Sequence, residues 1–133
     1  VTRSSRTARG FIVVEVLIVQ DDVRLAGLWA RRIAQTGAVV TLAPTPNEAT
    51  EALRRQVFDA LVIDLAMAEN SALAVADFAM FRQPEAPVTF VTRDATFADG
   101  SILAVAGNAG AIVPADTPPE DLAAIVEYHA AAR

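Results

Sequence analysis

The chain predicts an α/β domain: a doubly wound, five-stranded parallel sheet in the order 2-1-3-4-5, with five helices. Short apolar runs of strand length alternate with helix-patterned segments, the βα rhythm of a parallel sheet. Two of those runs end at acids, and the carboxyl ends of strands are where open α/β sheets place their ligands. No long linker or low-complexity segment divides the alternation, so residues 11–133 read as one domain behind a basic arm, expected to be disordered, at residues 1–10.

The first strand is Val13-Val14-Glu15-Val16-Leu17-Ile18-Val19, and it runs into Gln20-Asp21-Asp22. Asp22 has two readings, a cap for the helix that follows or one of an acidic pair with Asp21. Residues 23–36 carry Leu25, Leu28, Trp29 and Ile33 at helical spacing and close on Gly37, a C-terminal stop. Trp29 is expected in the packing of this helix, not as a ligand platform. A short strand over 39–43 leads to Thr45-Pro46-Asn47-Glu48, a capping box with proline at the first helical position, which opens a helix to Gln56.

The run Val57-Phe58-Asp59-Ala60-Leu61-Val62-Ile63 then stops at Asp64 and passes into a loop at Leu65-Ala66-Met67. An apolar run of that length bounded by a charge reads as a strand buried on both faces, which makes Asp64 a site candidate. Residues 71–82 form a helix whose Leu73, Ala76, Phe78 and Phe81 are expected to pack on the sheet. Pro84 and Pro87 break the chain before the strand Val88-Thr89-Phe90-Val91-Thr92. A weaker helix over 98–106, a turn at Gly107 to Gly110 and the short strand Ala111-Ile112-Val113 follow. Thr117-Pro118-Pro119-Glu120 reads as a second capping box, opening a last helix that runs to Ala131.

Composition narrows the function. At 133 residues and 53% hydrophobic, the chain suits one domain with a well-buried core. No apolar stretch approaches the roughly 20 residues that span a bilayer, so the chain reads as soluble and cytoplasmic with no membrane partner. Cysteine is absent, which excludes disulfides and thiolate chemistry. The formal net charge is −5, and all 16 acids lie outside the arm that holds Arg3, Arg6 and Arg9. Nucleic acid is therefore not an expected partner of the acidic body. Every basic residue except His129 is arginine; lysine does not occur. His129 has no companion histidine with which to build a metal or relay site and reads as a surface residue. Asp21 and Asp64, delivered by two strands to one edge, can together hold a hard divalent cation such as Mg²⁺.

Taken in order, these motifs resemble the receiver domain of bacterial two-component response regulators, the CheY-like modules on a flavodoxin-like scaffold, over residues 15–129. Asp21 matches the second acid of that family's metal pocket, Asp64-Leu65-Ala66-Met67 its phosphoacceptor segment, and Thr92 the hydroxyl ending its fourth strand. Asp116-Thr117-Pro118-Pro119-Glu120-Asp121-Leu122 is similar to the approach to its fifth helix. The resemblance implies that Asp64 takes a phosphoryl group from a histidine kinase and that Thr92 bonds a phosphoryl oxygen. It also implies that Asp21, Asp64 and the backbone carbonyl of Ala66 hold Mg²⁺, with Gln20 as a weak further oxygen. A signalling module is implied, not an enzyme. The implied homodimer uses the fourth helix, fifth strand and fifth helix, near Ile102, Leu103 and Val105.

Several positions depart from the family's pattern. Gln20 stands where the first pocket acid belongs, Ala68 and Ala72 replace a proline and a glycine, and Ala111 replaces the switching aromatic. The lysine position falls on Pro114 or Ala115, neither of which carries charge. Loss of one donor from such a phosphoryl clamp costs ~3 kcal/mol in comparable sites. Arg93, directly after Thr92, either replaces that lysine or pairs with Asp64 and blocks it; the blocking role is the one expected. The resulting expectation is a degenerate, atypical receiver acting through contacts with a histidine kinase or other signalling protein, with Asp64 phosphorylation and Mg²⁺ binding weak or absent. A working phosphoacceptor is one alternative. A small-molecule or nucleotide-binding flavodoxin-like module is the other, although no Gly-rich phosphate loop follows the first strand.

Overall fold

A computed structural model describes residues 7–8, 11–67, 71–93 and 109–131. Two short strands, β1 (Thr7–Ala8) and β2 (Phe11–Ile12), pair antiparallel ahead of the main sheet. The main sheet is formed by β3 (Glu15–Val19), β4 (Val39–Ala43), β5 (Ala60–Asp64), β6 (Val88–Thr92) and β7 (Ala109–Pro114). Its spatial order is β4-β3-β5-β6-β7 and every neighbouring pair is parallel, which is 2-1-3-4-5 when these five strands alone are numbered. Four helices connect the described strands or close the domain: α1 (Val23–Ala34), α2 (Pro46–Arg55), α3 (Ser71–Arg82) and α4 (Pro119–Ala131). The helix expected over 98–106 lies outside the described residues, as do most of the arm and Ala68.

Alternation along the strands sorts the core into two layers. Leu17, Val19, Leu61, Ile63 and Phe90 face α2 and α3, where Leu53, Val75, Ala76 and Ala79 meet them with Phe58. Val16, Ile18, Val62, Val91 and Val113 face α1 and α4, packing with Trp29, Ile33, Leu122 and Val126. Both faces of the central strands are covered, which is why their sequences are continuously apolar and not alternating. Trp29 is a core residue, as its spacing indicates.

Local chemistry sets the helix ends. Asp22 caps α1, its Oδ1 accepting the Arg24 and Leu25 N–H groups at 3.0 and 3.1 Å. Gly37 has φ of 96°, the left-handed geometry that ends the α1 segment and that residues with a Cβ seldom adopt. At α2, Thr45 accepts the Glu48 N–H at 3.1 Å and its hydroxyl donates to the Glu48 carboxylate at 2.9 Å. The second capping box does not form in that register. Asp121 and Leu122 N–H groups donate to the Pro118 carbonyl, while the Thr117 hydroxyl donates to Pro114 O at 2.7 Å. Thr117 thus belongs to the turn leaving β7, and α4 starts one residue later than the box implies.

Two side chains absent from the motif reading staple the amino edge. Gln83 accepts the Phe58 N–H at 2.8 Å and donates to the carbonyls of Leu53 and Gln56, tying α3 to the end of α2 and the approach to β5. Asp59, fully buried, accepts the Glu15 N–H at 2.7 Å and joins β5 to β3. One expectation fails on α3. Phe78 packs against the core and under the Arg54 guanidinium at 5.3 Å, but Phe81 is 81% exposed, because three residues along a helix rotate far enough to leave a narrow face. Phe58→Ala is therefore expected to cost about 3–5 kcal/mol in urea denaturation. Phe81→Ser should change stability by less than about 0.5 kcal/mol, and a large loss would return Phe81 to the core.

Candidate functional site

Parallel register brings the strand ends together. Val19 lies opposite Ile63, so the next residues, Gln20 and Asp64, sit level on neighbouring strands. Asp64 lies opposite Val91, and Thr92 follows one step on, opposite Pro114. The carboxyl edge therefore carries Gln20, Asp21, Asp64, Thr92 and Arg93 at three adjacent strand ends. Between β3 and β5 the connections run outward in opposite directions, which makes the Gln20–Asp64 position the switch point of the sheet.

Asp64 is 1% exposed and both of its oxygens are engaged. The Gln20 amide Nε2 donates to Oδ2 at 2.5 Å, and the Ala66 N–H donates to Oδ1 at 2.8 Å. A buried carboxylate without such donors is costly, and these two bonds offset part of its desolvation. Gln20 itself is 2% exposed, and its Oε1 accepts the Asp22 N–H at 2.9 Å. Thr92 is buried and its carbonyl accepts the Ala115 N–H at 2.8 Å. Asp21 is exposed beside this cluster, as is Ala66 in the loop after β5.

The expected pair between Arg93 and Asp64 is not made. Arg93 is exposed past the end of β6, while the place beside Asp64 is taken by Gln20, whose short side chain emerges level with it on the adjacent strand. Sequence reading treated Gln20 only as an oxygen ligand. It missed that the amide presents its nitrogen to Asp64, although the equal positions of the two residues at adjacent strand ends are the signal for contact.

Among the described residues, no three His, Asp or Glu side chains gather. The Gln20 oxygen faces a backbone N–H, and Asp64 faces donors. Ala111 is half-buried opposite Thr89, and Pro114 and Ala115 leave the end of β7 uncharged. His129 is half-buried near Gly110, at the other edge of the sheet, and meets the Tyr128 ring edge-on at 5.2 Å. That edge also opens an apolar cleft of about 160 Å³ between α1 and α4, lined by Val14, Val16, Ile33 and Val126.

The family model of the response regulator receiver domain matches residues 16–127. The chain belongs to this family. Solved receivers share its fold. A CheY-like receiver domain protein from Methanospirillum hungatei superposes with a TM-score of 0.81 at 19% identity, covering 90% of this chain and 95% of that one. The non-phosphorylated HemR receiver domain from Leptospira biflexa gives 0.77 at 23% identity, covering 88% and 94%. The response regulator TrrA from Thermotoga maritima, solved in complex with Mg(2+)-BeF, gives 0.74 at 18% identity, covering 87% and 98%. No curated protein matches the chain in sequence. In this receiver no described helix is long and apolar enough to cross a membrane. Because Arg93 is exposed and not paired with Asp64, Arg93→Ala should alter the receiver's stability by less than about 0.5 kcal/mol in urea denaturation. A loss of several times that would expose a contact that Asp64 depends on.

Proposed function

We propose that this receiver is an atypical signalling module that works through protein contacts, with phosphorylation at Asp64 and Mg²⁺ binding weak or absent. One observation carries the reading: the Asp64 carboxylate is buried with both oxygens hydrogen-bonded by Gln20 and Ala66. Hydrogen bonds to both Asp64 oxygens draw on the lone pairs that would attack phosphorus and make the carboxylate a poorer nucleophile. The clamp that would stabilise the transferring group is also short of its lysine, since Pro114 and Ala115 supply no charge. Partners are a histidine kinase or another signalling protein in the cytoplasm, and a homodimer through the last two βα units is part of the proposal.

A second reading keeps Asp64 as a working phosphoacceptor with Arg93 in the lysine's role. The exposed guanidinium beside the buried Thr92 favours it over the blocking role, since Arg93 does not hold Asp64. Nucleotide binding gains no such support, because the described cleft is apolar and opens at the edge opposite Asp64.

Incubation with Mg²⁺ and acetyl phosphate followed by intact-mass measurement separates these readings. The unaltered protein should show little adduct, and a stoichiometric adduct lost in Asp64→Ala would overturn the proposal. Gln20→Asp replaces a donor with a carboxylate oxygen, so it should tighten Mg²⁺ binding in titration calorimetry by about tenfold or more and raise the adduct yield. Submillimolar Mg²⁺ affinity in the unaltered protein would contradict the proposed weakness. In the Gln20→Asp background, Arg93→Ala should lower the yield if the guanidinium takes the lysine's role, and a rise would restore the blocking role.

A further inference from the structure

Both ends of the Gln20 side chain are committed. Its nitrogen donates to Asp64 Oδ2, and its oxygen accepts the Asp22 N–H at 2.9 Å. A carboxylate only accepts and a backbone N–H only donates, so the two partners fix which way the amide faces. Turned over, it would set oxygen against oxygen and donor against donor, and both bonds would be lost. Asp22 is in turn the cap of α1. Its Oδ1 accepts the Arg24 and Leu25 N–H groups, and its carbonyl accepts the Ala26 N–H at 2.9 Å. Hydrogen bonds therefore run without a break from the Asp64 carboxylate into the first turn of α1.

We propose that Gln20 is a positioning residue that couples the state of Asp64 to the first turn of α1. The inference rests on the proposed reading of Asp64 as the carboxylate at the centre of the site, held by Gln20. Capping or removing Oδ2 takes the charge-assisted partner from the Gln20 amide, and both residues are buried. The amide then leaves or turns, the Asp22 N–H loses its acceptor, and the cap that Asp22 provides loosens. Other routes from Asp64 are poorer. Its second oxygen bonds the N–H of Ala66, two residues along in its own loop, and Ala111 offers no ring to follow a moving hydroxyl. The first residue of α1, Val23, is 79% exposed, so a change in that turn alters the surface directly.

The test is backbone hydrogen exchange at Arg24, Leu25 and Ala26, measured against Glu48 and Ala49 in the separately capped first turn of α2. Asp64→Ala and Gln20→Met should each raise exchange in α1 by about fivefold relative to α2, the weight of a helix cap. The double variant should raise it no further, because both changes cut one path. Unchanged α1 exchange in Asp64→Ala, or a double variant equal to the product of the singles, would overturn the proposal. If either variant does not fold, Asp64→Asn keeps the shape and weakens the acceptor, so a rise of about twofold is expected and no rise overturns it. No phosphodonor is used, so failure here leaves the proposed weak phosphorylation standing, and an acetyl phosphate adduct leaves the coupling standing.

Discussion

The junction of β3 and β5 is the constraint on which the rest of this structure depends. At that junction the connections leave in opposite directions, and two strand ends are presented side by side. Whatever emerges there is held in contact by the ladder itself. Here the ladder delivers Gln20 and Asp64, one donor and one acceptor, and they close on each other. A buried carboxylate needs hydrogen-bond donors, and this chain supplies a neutral amide and a backbone N–H.

Much of the fold was legible because its signals are local or periodic. The spans of β4, β6 and α3 follow from apolar runs and their punctuation, while β5 starts three residues into its run, and the Asp22 and Thr45 side chains cap backbone N–H groups two or three residues on. Where reading failed, the deciding contact was non-local or rotational. Thr117 turned to Pro114 because the end of β7 needed a turn, and Phe81 fell off a packed face that Phe78 still reaches. Neither is visible from composition within one segment.

The candidate site was legible in its residues more than in its contacts. Asp64 was singled out by its place at a strand end, Gln20 and Thr92 through the family resemblance, and register brings those strand ends to one edge. Which of them touch depends on side-chain length and pleat. Arg93 has the charge to seek Asp64, but it is exposed past the end of β6, and Gln20 donates to Asp64 from β3. The amide's direction needed one more fact, the Asp22 N–H on its other side, which a linear reading of Gln20-Asp21-Asp22 does not supply. The family membership explains why the carboxylate is where it is, and the substitutions around it explain why its chemistry is proposed to be muted.

The most direct measurement is nuclear magnetic resonance of the side-chain amide protons of Gln20. With one N–H bonded to a buried carboxylate, that proton should exchange slowly and its resonance should move sharply in Asp64→Ala, while the amides of Gln35 and Gln56 stay in place. Two fast-exchanging Gln20 protons, unchanged by removal of the Asp64 carboxylate, would contradict the closed Gln20–Asp64 pair and with it the proposed muting of the site.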